Sequence, residues 1–81
     1  MRVKVKLFAR YRDVVGQGEI DVETVPGTTV GALWQMLADR YPSLAALGDS
    51  TLFAVNQEYA GRTQELREDD EVALIPPVSG G

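Results

Sequence analysis

The sequence contains no cysteine and no histidine. Without a thiol there is no disulfide framework, no thiolate nucleophile and no cysteine-bound zinc. Without imidazole a Ser-His-Asp triad cannot be built, and the commonest metal ligand is missing. Basic residues are in short supply: eight Lys and Arg stand against twelve Asp and Glu, a formal net charge of −4. Nucleic acid calls for a basic stripe, so it is not expected as a direct partner. Long apolar runs are absent as well. The opening Met1-Arg2-Val3-Lys4-Val5-Lys6 alternates charge with apolar side chains, unlike a signal peptide, and no stretch is suited to span a membrane. A cytoplasmic protein with no membrane partner is the expectation. The 81 residues are enough for one small domain. A domain of this size buries about 60% of its unfolded surface, which leaves little room for a deep substrate pocket beside a full core. Size therefore weighs against a stand-alone enzyme.

What is present is patterned. Residues 2–8 alternate, with Val3, Val5 and Leu7 directed to a core and Arg2, Lys4 and Lys6 directed outward, as in a half-buried strand. Residues 19–24 alternate in the same way, with Ile20 and Val22 inward and Glu19, Asp21 and Glu23 outward. Gly16 and Gly18 lie between the two runs and predict a hairpin connection. The outward faces are basic on one run and acidic on the other, which favours antiparallel pairing by roughly 0.2–1 kcal/mol per cross-strand pair. A solvated, salt-bridged face accounts for all of these charges. Arg10 and Arg12 read as solvent-facing loop charges after the first strand. The other reading is that one of them meets acidic groups on a partner or guides the tail.

Pro26-Gly27 is a turn signal, and Thr28 or Thr29 is placed to cap a helix. Val30, Leu33, Trp34, Leu37 and Tyr41 then recur at spacings of three and four, one apolar helical face, and Pro42 stops the helix. The position of Trp34 within that stripe assigns it to the core. Residues 43–47 predict one further turn closed by Gly48. Residues 52–56 read as a third strand, 57–61 as a turn or short edge piece, and Leu66 as a loop anchor. Glu68-Asp69-Asp70 is an acidic turn. It lacks the glycine-containing spacing of a calcium loop, so no metal site is expected. Residues 71–75 form the last strand. The order predicts an α+β fold with a mixed sheet of four to five strands and one main helix packed on one face. It fits the β-grasp arrangement, with the first and last strands parallel and adjacent. The expected domain covers residues 1–75, followed by an extended tail over 76–81.

The tail combines unusual residues. Pro76-Pro77 cannot continue as a central strand and stiffens the exit. Val78 and Ser79 follow, and then Gly80 and Gly81, which have no side chains. Extended, six residues reach on the order of 20 Å, and the tip is thin enough to enter a narrow channel. What such a tail delivers is the Gly81 carboxylate. A free carboxylate is a poor electrophile. Adenylation gives it a leaving group, and attack by a persulfide followed by reduction gives a thiocarboxylate. The chain offers no base, nucleophile or metal for these steps, so partners must supply the chemistry. A Gly-Gly end taken alone reads more readily as a plain flexible terminus, and it is the Pro76-Pro77 lead that changes the balance.

Three segments together resemble the small, sulfur-carrier subunits of molybdopterin synthase, members of the ubiquitin-like β-grasp proteins. They are Leu7-Phe8-Ala9-Arg10-Tyr11-Arg12-Asp13, Val55-Asn56-Gln57, and Asp70-Glu71-Val72-Ala73-Leu74-Ile75-Pro76-Pro77-Val78-Ser79-Gly80-Gly81. The last is the most specific. One departure is Asp69, where the family commonly has glycine; Asp tolerates a left-handed backbone better than most residues. The resemblance implies that an ATP-consuming adenylyltransferase, related to ubiquitin-activating enzymes, adenylates Gly81, and that a sulfur donor protein converts it to the thiocarboxylate. It implies docking on a large synthase subunit, in a heterotetramer, and conversion of cyclic pyranopterin monophosphate to molybdopterin. The catalytic groups would lie on the large subunit, and this chain would bind no cofactor of its own. Strand alternation places Phe8 and Ile75 outward, side by side near the exit of the tail, with Tyr59 close by. Phe8, Tyr59, Ile75, Pro76, Pro77, Val78 and Ser79 are the expected partner-binding residues, with Gly80 and Gly81 as the reacting end. Three other readings share much of this pattern: a carrier for thiamine or tRNA thiolation, a ubiquitin-like modifier joined to lysines through Gly81, and an interaction module with an inert tail.

Overall fold

In a computed structural model, which describes residues 1–47 and 50–77, the elements in chain order are β1 (Arg2–Leu7), α1 (Ala9–Val15), β2 (Glu19–Glu23), α2 (Val30–Arg40), α3 (Pro42–Ala45), β3 (Leu52–Val55), β4 (Glu58–Ala60) and β5 (Glu71–Ile75). The five strands form one mixed sheet in the order β2-β1-β5-β3-β4. β1 and β5 run parallel, with Lys4 beside Glu71 and Leu7 beside Leu74. All other pairs are antiparallel. The parallel pairing of first and last strands is the arrangement expected of a β-grasp domain.

One face of the sheet carries Val3, Val5, Leu7, Val22, Phe53, Val55, Val72 and Leu74, all buried. Val30, Leu33, Trp34 and Leu37 of α2 close over it, as their spacing requires. Trp34 meets Phe53 edge-on, with ring centroids 5.9 Å apart and planes at 69°. Such a contact adds about 0.5–1.5 kcal/mol to the area that the rings bury. Thr29 caps α2 by accepting a hydrogen bond from the Ala32 N–H at 3.1 Å. The helix ends at Arg40, and Pro42 opens α3 as its first residue, a position where the missing N–H costs nothing. Leu66 is buried and anchors the long loop before β5, as expected.

Two expectations need correction. The connection between β1 and β2 is not a hairpin turn but the helix α1, so Arg10 and Arg12 are helical rather than loop residues. Gly16, at φ 87°, is the left-handed cap that ends this helix, with its N–H bonded to the Arg12 carbonyl at 2.7 Å. The third strand also stops one residue early, at Val55. Asn56 and Gln57 both have positive φ, 51° and 72°, and turn the chain in a two-residue hairpin into β4.

The acidic turn is used structurally. Asp69 adopts φ 66°, the left-handed conformation that its side chain tolerates. Asp70 accepts hydrogen bonds from the Arg67 N–H at 2.7 Å and from the Asn56 amide at 2.9 Å. Glu68 accepts from the Arg2 N–H at 2.6 Å. These carboxylates tie the turn to the start of β1 and to the β3–β4 hairpin. Among the described residues, no helix is long and apolar enough to cross a membrane.

Candidate functional site

The face of the sheet turned away from α2 is divided down its middle. On β2 and β1 it is charged. Arg2 pairs with Glu23 at 3.2 Å and Lys4 with Glu19 at 3.0 Å, while Lys6 reaches Glu71 at the start of β5 at 3.5 Å. The hydrogen bond and negative charge of Glu23 raise the pKa of Arg2, and those of Glu19 raise the pKa of Lys4.

Past Glu71, the same face is apolar on β5, β3 and β4. The register puts Ile75 beside Leu52, Ala73 beside Ala54, and Ala54 beside Tyr59. Directly opposed residues share a face, so these five side chains make one patch. Phe8 joins it. β1 ends at Leu7, but Phe8 keeps an extended backbone, φ −120° and ψ 157°, so the alternation carries its ring to the outer side. Ala9 then turns abruptly into α1 at φ 49°, a conformation rare for a residue with a β-carbon. Phe8 is 49% exposed, Tyr59 75% and Leu52 38%, and Ile75 is half-buried. Exposure of this many adjacent large apolar groups beside one sheet end marks a contact surface more than scattered surface residues do.

The patch lies where β5 delivers the chain to Pro76 and Pro77. The two prolines border an open groove of about 440 Å³ between α1 and α3, whose other walls are Arg10, Tyr11, Ala46, Leu47 and Ser50. Tyr11 is a firm part of that wall. Its ring is buried, and its hydroxyl shares a hydrogen bond of 2.8 Å with the Thr51 hydroxyl at the entry to β3. The groove thus brings the residues that follow β5 beside α1 and the segment after α3.

Of the expected site residues, Phe8, Ile75 and Tyr59 come together on one face, and Pro76 and Pro77 stand beside them. Val78, Ser79, Gly80 and Gly81 lie outside the described residues, as does the predicted helix-closing Gly48. Leu52 was not among the expected site residues, although the alternation that turns Phe53 inward turns it outward. Tyr11 also went unread. Its spacing with the half-buried Val14 and Val15, three and four residues on, is a helical signal in a segment interpreted as a connection.

The ThiS family matches residues 5–81. The chain belongs to the ThiS family. Among its relatives, the molybdopterin synthase sulfur carrier subunit of Chlamydomonas reinhardtii is 39% identical, with all of both chains covered. The protein of the same name from Dictyostelium discoideum is 38% identical over 96% of this chain and 94% of the relative. Solved structures of similar shape include the small archaeal modifier protein 1 of Methanosarcina acetivorans, at TM-score 0.82 and 30% identity, covering 99% of this chain and 96% of that one. They also include a chain of the Amycolatopsis orientalis BexX/CysO complex, at TM-score 0.71 and 26% identity, covering 98% and 99%. This ThiS-family chain therefore has the β-grasp fold that its strand order indicates.

Proposed function

We propose that the chain is a sulfur carrier for molybdopterin formation, with the Gly81 carboxylate as its reacting group. The carboxylate attacks the α-phosphorus of ATP on an activating enzyme, and pyrophosphate leaves. The terminal sulfur of a donor protein's persulfide attacks the acyl carbon and expels AMP. A thiol then cleaves the acyl disulfide, taking one sulfur into a new disulfide and leaving Gly81 as the thiocarboxylate. The loaded tail enters the active site of a larger synthase subunit and gives its sulfur to cyclic pyranopterin monophosphate. Two small subunits serve a dimer of large ones, and the catalytic groups belong to the partners.

The observation that supports this reading most is the convergence of Phe8, Leu52, Tyr59 and Ile75 at the end of the sheet from which β5 leads into Pro76-Pro77. An apolar surface beside the root of a thin tail suits a domain that docks while its tip reaches inward. The curated relatives, named as sulfur carrier subunits, agree with it.

A second reading has one observation in its favour: some structures of this shape are named modifier proteins. In that case Gly81 is joined to lysines of other proteins. Intact mass spectrometry after incubation with ATP, a persulfide donor and the cognate activating enzyme separates the two. Exchange of one oxygen for sulfur at Gly81 is the expected result. Isopeptide-linked products in place of that exchange favour the modifier, and an unchanged mass with a competent enzyme refutes both.

A further inference from the structure

The two edges of the sheet are unequal. β4 spans three residues at the edge beside the apolar patch, and β2 spans five at the edge remote from it. The Thr24 N–H donates to the Met1 carbonyl at 2.8 Å, and the Leu7 N–H donates to the Gly18 carbonyl at 2.9 Å. In an antiparallel pair these bonds fix the phase of the whole ladder. Gly18, Ile20, Val22 and Thr24 turn their backbone groups to β1, and Glu19, Asp21 and Glu23 turn theirs outward. Among the described residues nothing pairs with that outward row of N–H and C=O groups, which is a template for one more strand.

Beside this edge the surface is concave and partly apolar. The end of α2 and β2 border an open groove of about 390 Å³, lined in part by the half-buried Ile20 and Tyr41. The Arg40 guanidinium rests on the Tyr41 ring, 5.6 Å from its centre. One helical turn before Arg40, Met36 is 40% exposed, and its sulfur accepts a hydrogen bond of 3.8 Å from the Thr24 hydroxyl at the end of β2. The exposed Val25 comes next in the chain. Of the exposed large apolar side chains among the described residues, Phe8, Leu52 and Tyr59 belong to the patch near the tail, and Val25 and Met36 border the β2 edge.

A strand added here meets different chemistry on its two sides. On the α2 side Ile20, Tyr41 and Met36 favour apolar side chains, and Arg40 opposes cations. On the other side Glu19, Asp21 and Glu23 stand in a row. Glu19 has Lys4, Glu23 has Arg2 and the Met1 ammonium, and Asp21 between them has no ion pair among the described residues. A second copy of the chain is a poor occupant, because β2 against β2 sets carboxylate against carboxylate. A strand that alternates cations with apolar residues suits both sides. β1, with Arg2-Val3-Lys4-Val5-Lys6, already pairs with β2 in that way from within the sheet.

We infer that the free edge of β2 is a binding site for an extended segment of a partner protein in which basic and apolar residues alternate. The segment joins the sheet as a sixth strand, with its apolar residues toward Ile20 and Met36 and a cation opposite Asp21. Backbone hydrogen bonds supply affinity, and the alternation supplies selectivity. The site runs along the edge and not over the outer face, so it stays open while the apolar patch is occupied. It does not depend on the sulfur-carrier reading.

The probe is an acetylated and amidated peptide with the sequence of residues 2–7, titrated into the isotope-labelled full chain and followed by NMR. The amide signals of Glu19, Asp21 and Glu23 and the methyl signal of Met36 are expected to move together, with slowed exchange of those three amides. A peptide of the same composition with its cations in one block should bind about threefold to tenfold more weakly, because it cannot keep cations on one side and apolar groups on the other. Asp21→Lys should weaken the alternating peptide by about threefold to tenfold, since repulsion replaces a cross-strand attraction. Phe8→Asp should leave its affinity unchanged. Equal affinity for the two peptides would mean that charge alone attracts them and would overturn the inference. So would shifts centred on Phe8 and Tyr59, no shifts at millimolar peptide, or wild-type affinity in Asp21→Lys. If Asp21→Lys does not fold, the two peptides compared on the wild type still decide.

Discussion

The two halves of the outer sheet face are made from strands of the same register and the same alternation, yet they behave as opposites. On β1 and β2 each outward cation finds a carboxylate within the chain: Arg2 with Glu23 and Lys4 with Glu19. Past Glu71, which pairs with Lys6, the outward positions of β5, β3 and β4 hold Ala73, Ile75, Leu52, Ala54 and Tyr59, and the large ones stay exposed at least in part. Exposed ion pairs add little stability, but they keep a sheet face wet and discourage nonspecific contact. An apolar half offers binding energy to a complementary surface. The difference separates the two halves among the described residues: one is satisfied by ion pairs within the chain, and the other leaves large apolar side chains exposed beside the end of β5.

The comparison is broken most severely by putting charge into the apolar half. Phe8→Asp is expected to weaken binding of the larger synthase subunit about hundredfold, the scale of a buried aromatic anchor lost from an interface centre. Its thermal midpoint should move little, because Phe8 is outside the core. Calorimetric titration beside a melting curve measures both, and unchanged affinity would show that the partner does not use this patch. Leu52→Lys should act in the same direction at about tenfold, since Leu52 is less exposed than Phe8 and sits one strand away from β5. A loss at Leu52 equal to that at Phe8 would move the centre of the surface toward β3.

The charged half yields smaller effects, on stability and not on binding. Asp69 borders it in a groove with Arg2 and Lys4, and holds φ 66°. Asp69→Gly removes the left-handed penalty and should stabilise the fold by about 0.5–1 kcal/mol in urea unfolding, with partner affinity unchanged. Lys4→Gln should give the smallest shift. Glu19 raises the folded-state pKa of Lys4 above its ordinary 10.5, so the stabilisation is fully present below that ordinary value and is lost as pH rises through the raised one. The small deficit of Lys4→Gln in thermal midpoint at neutral pH should therefore close in the alkaline range. A deficit that persists there would assign Lys4 a packing role through its stem.

Much of this was legible along the chain. The clean alternation at Val3, Val5 and Leu7, and the three-and-four spacing at Val30, Leu33, Trp34 and Leu37, gave the strands and the main helix their core faces, because a side chain's direction follows from backbone period alone. The left-handed Asp69 was also foreseen. The helix α1 was not, because it spans seven residues without a side-chain N-cap, begins at a strained Ala9, and lies between two runs that pair as a hairpin would. Leu52 escaped notice because its outward direction means little until the register places it against Ile75.

The sequence by itself determined the alternating and helical faces, the absence of side-chain thiol and imidazole chemistry, and the stiff proline lead into Val78-Ser79-Gly80-Gly81. These are properties of residue type and local period. Tertiary structure alone decided that Phe8, Leu52, Tyr59 and Ile75 meet on one half of one face, that Tyr11 bonds Thr51, and that Arg10 and Tyr11 line one groove with Pro76 and Pro77. Those are contacts between segments far apart in the chain. Strand order and register set them, and neither is encoded in the pattern of any one segment.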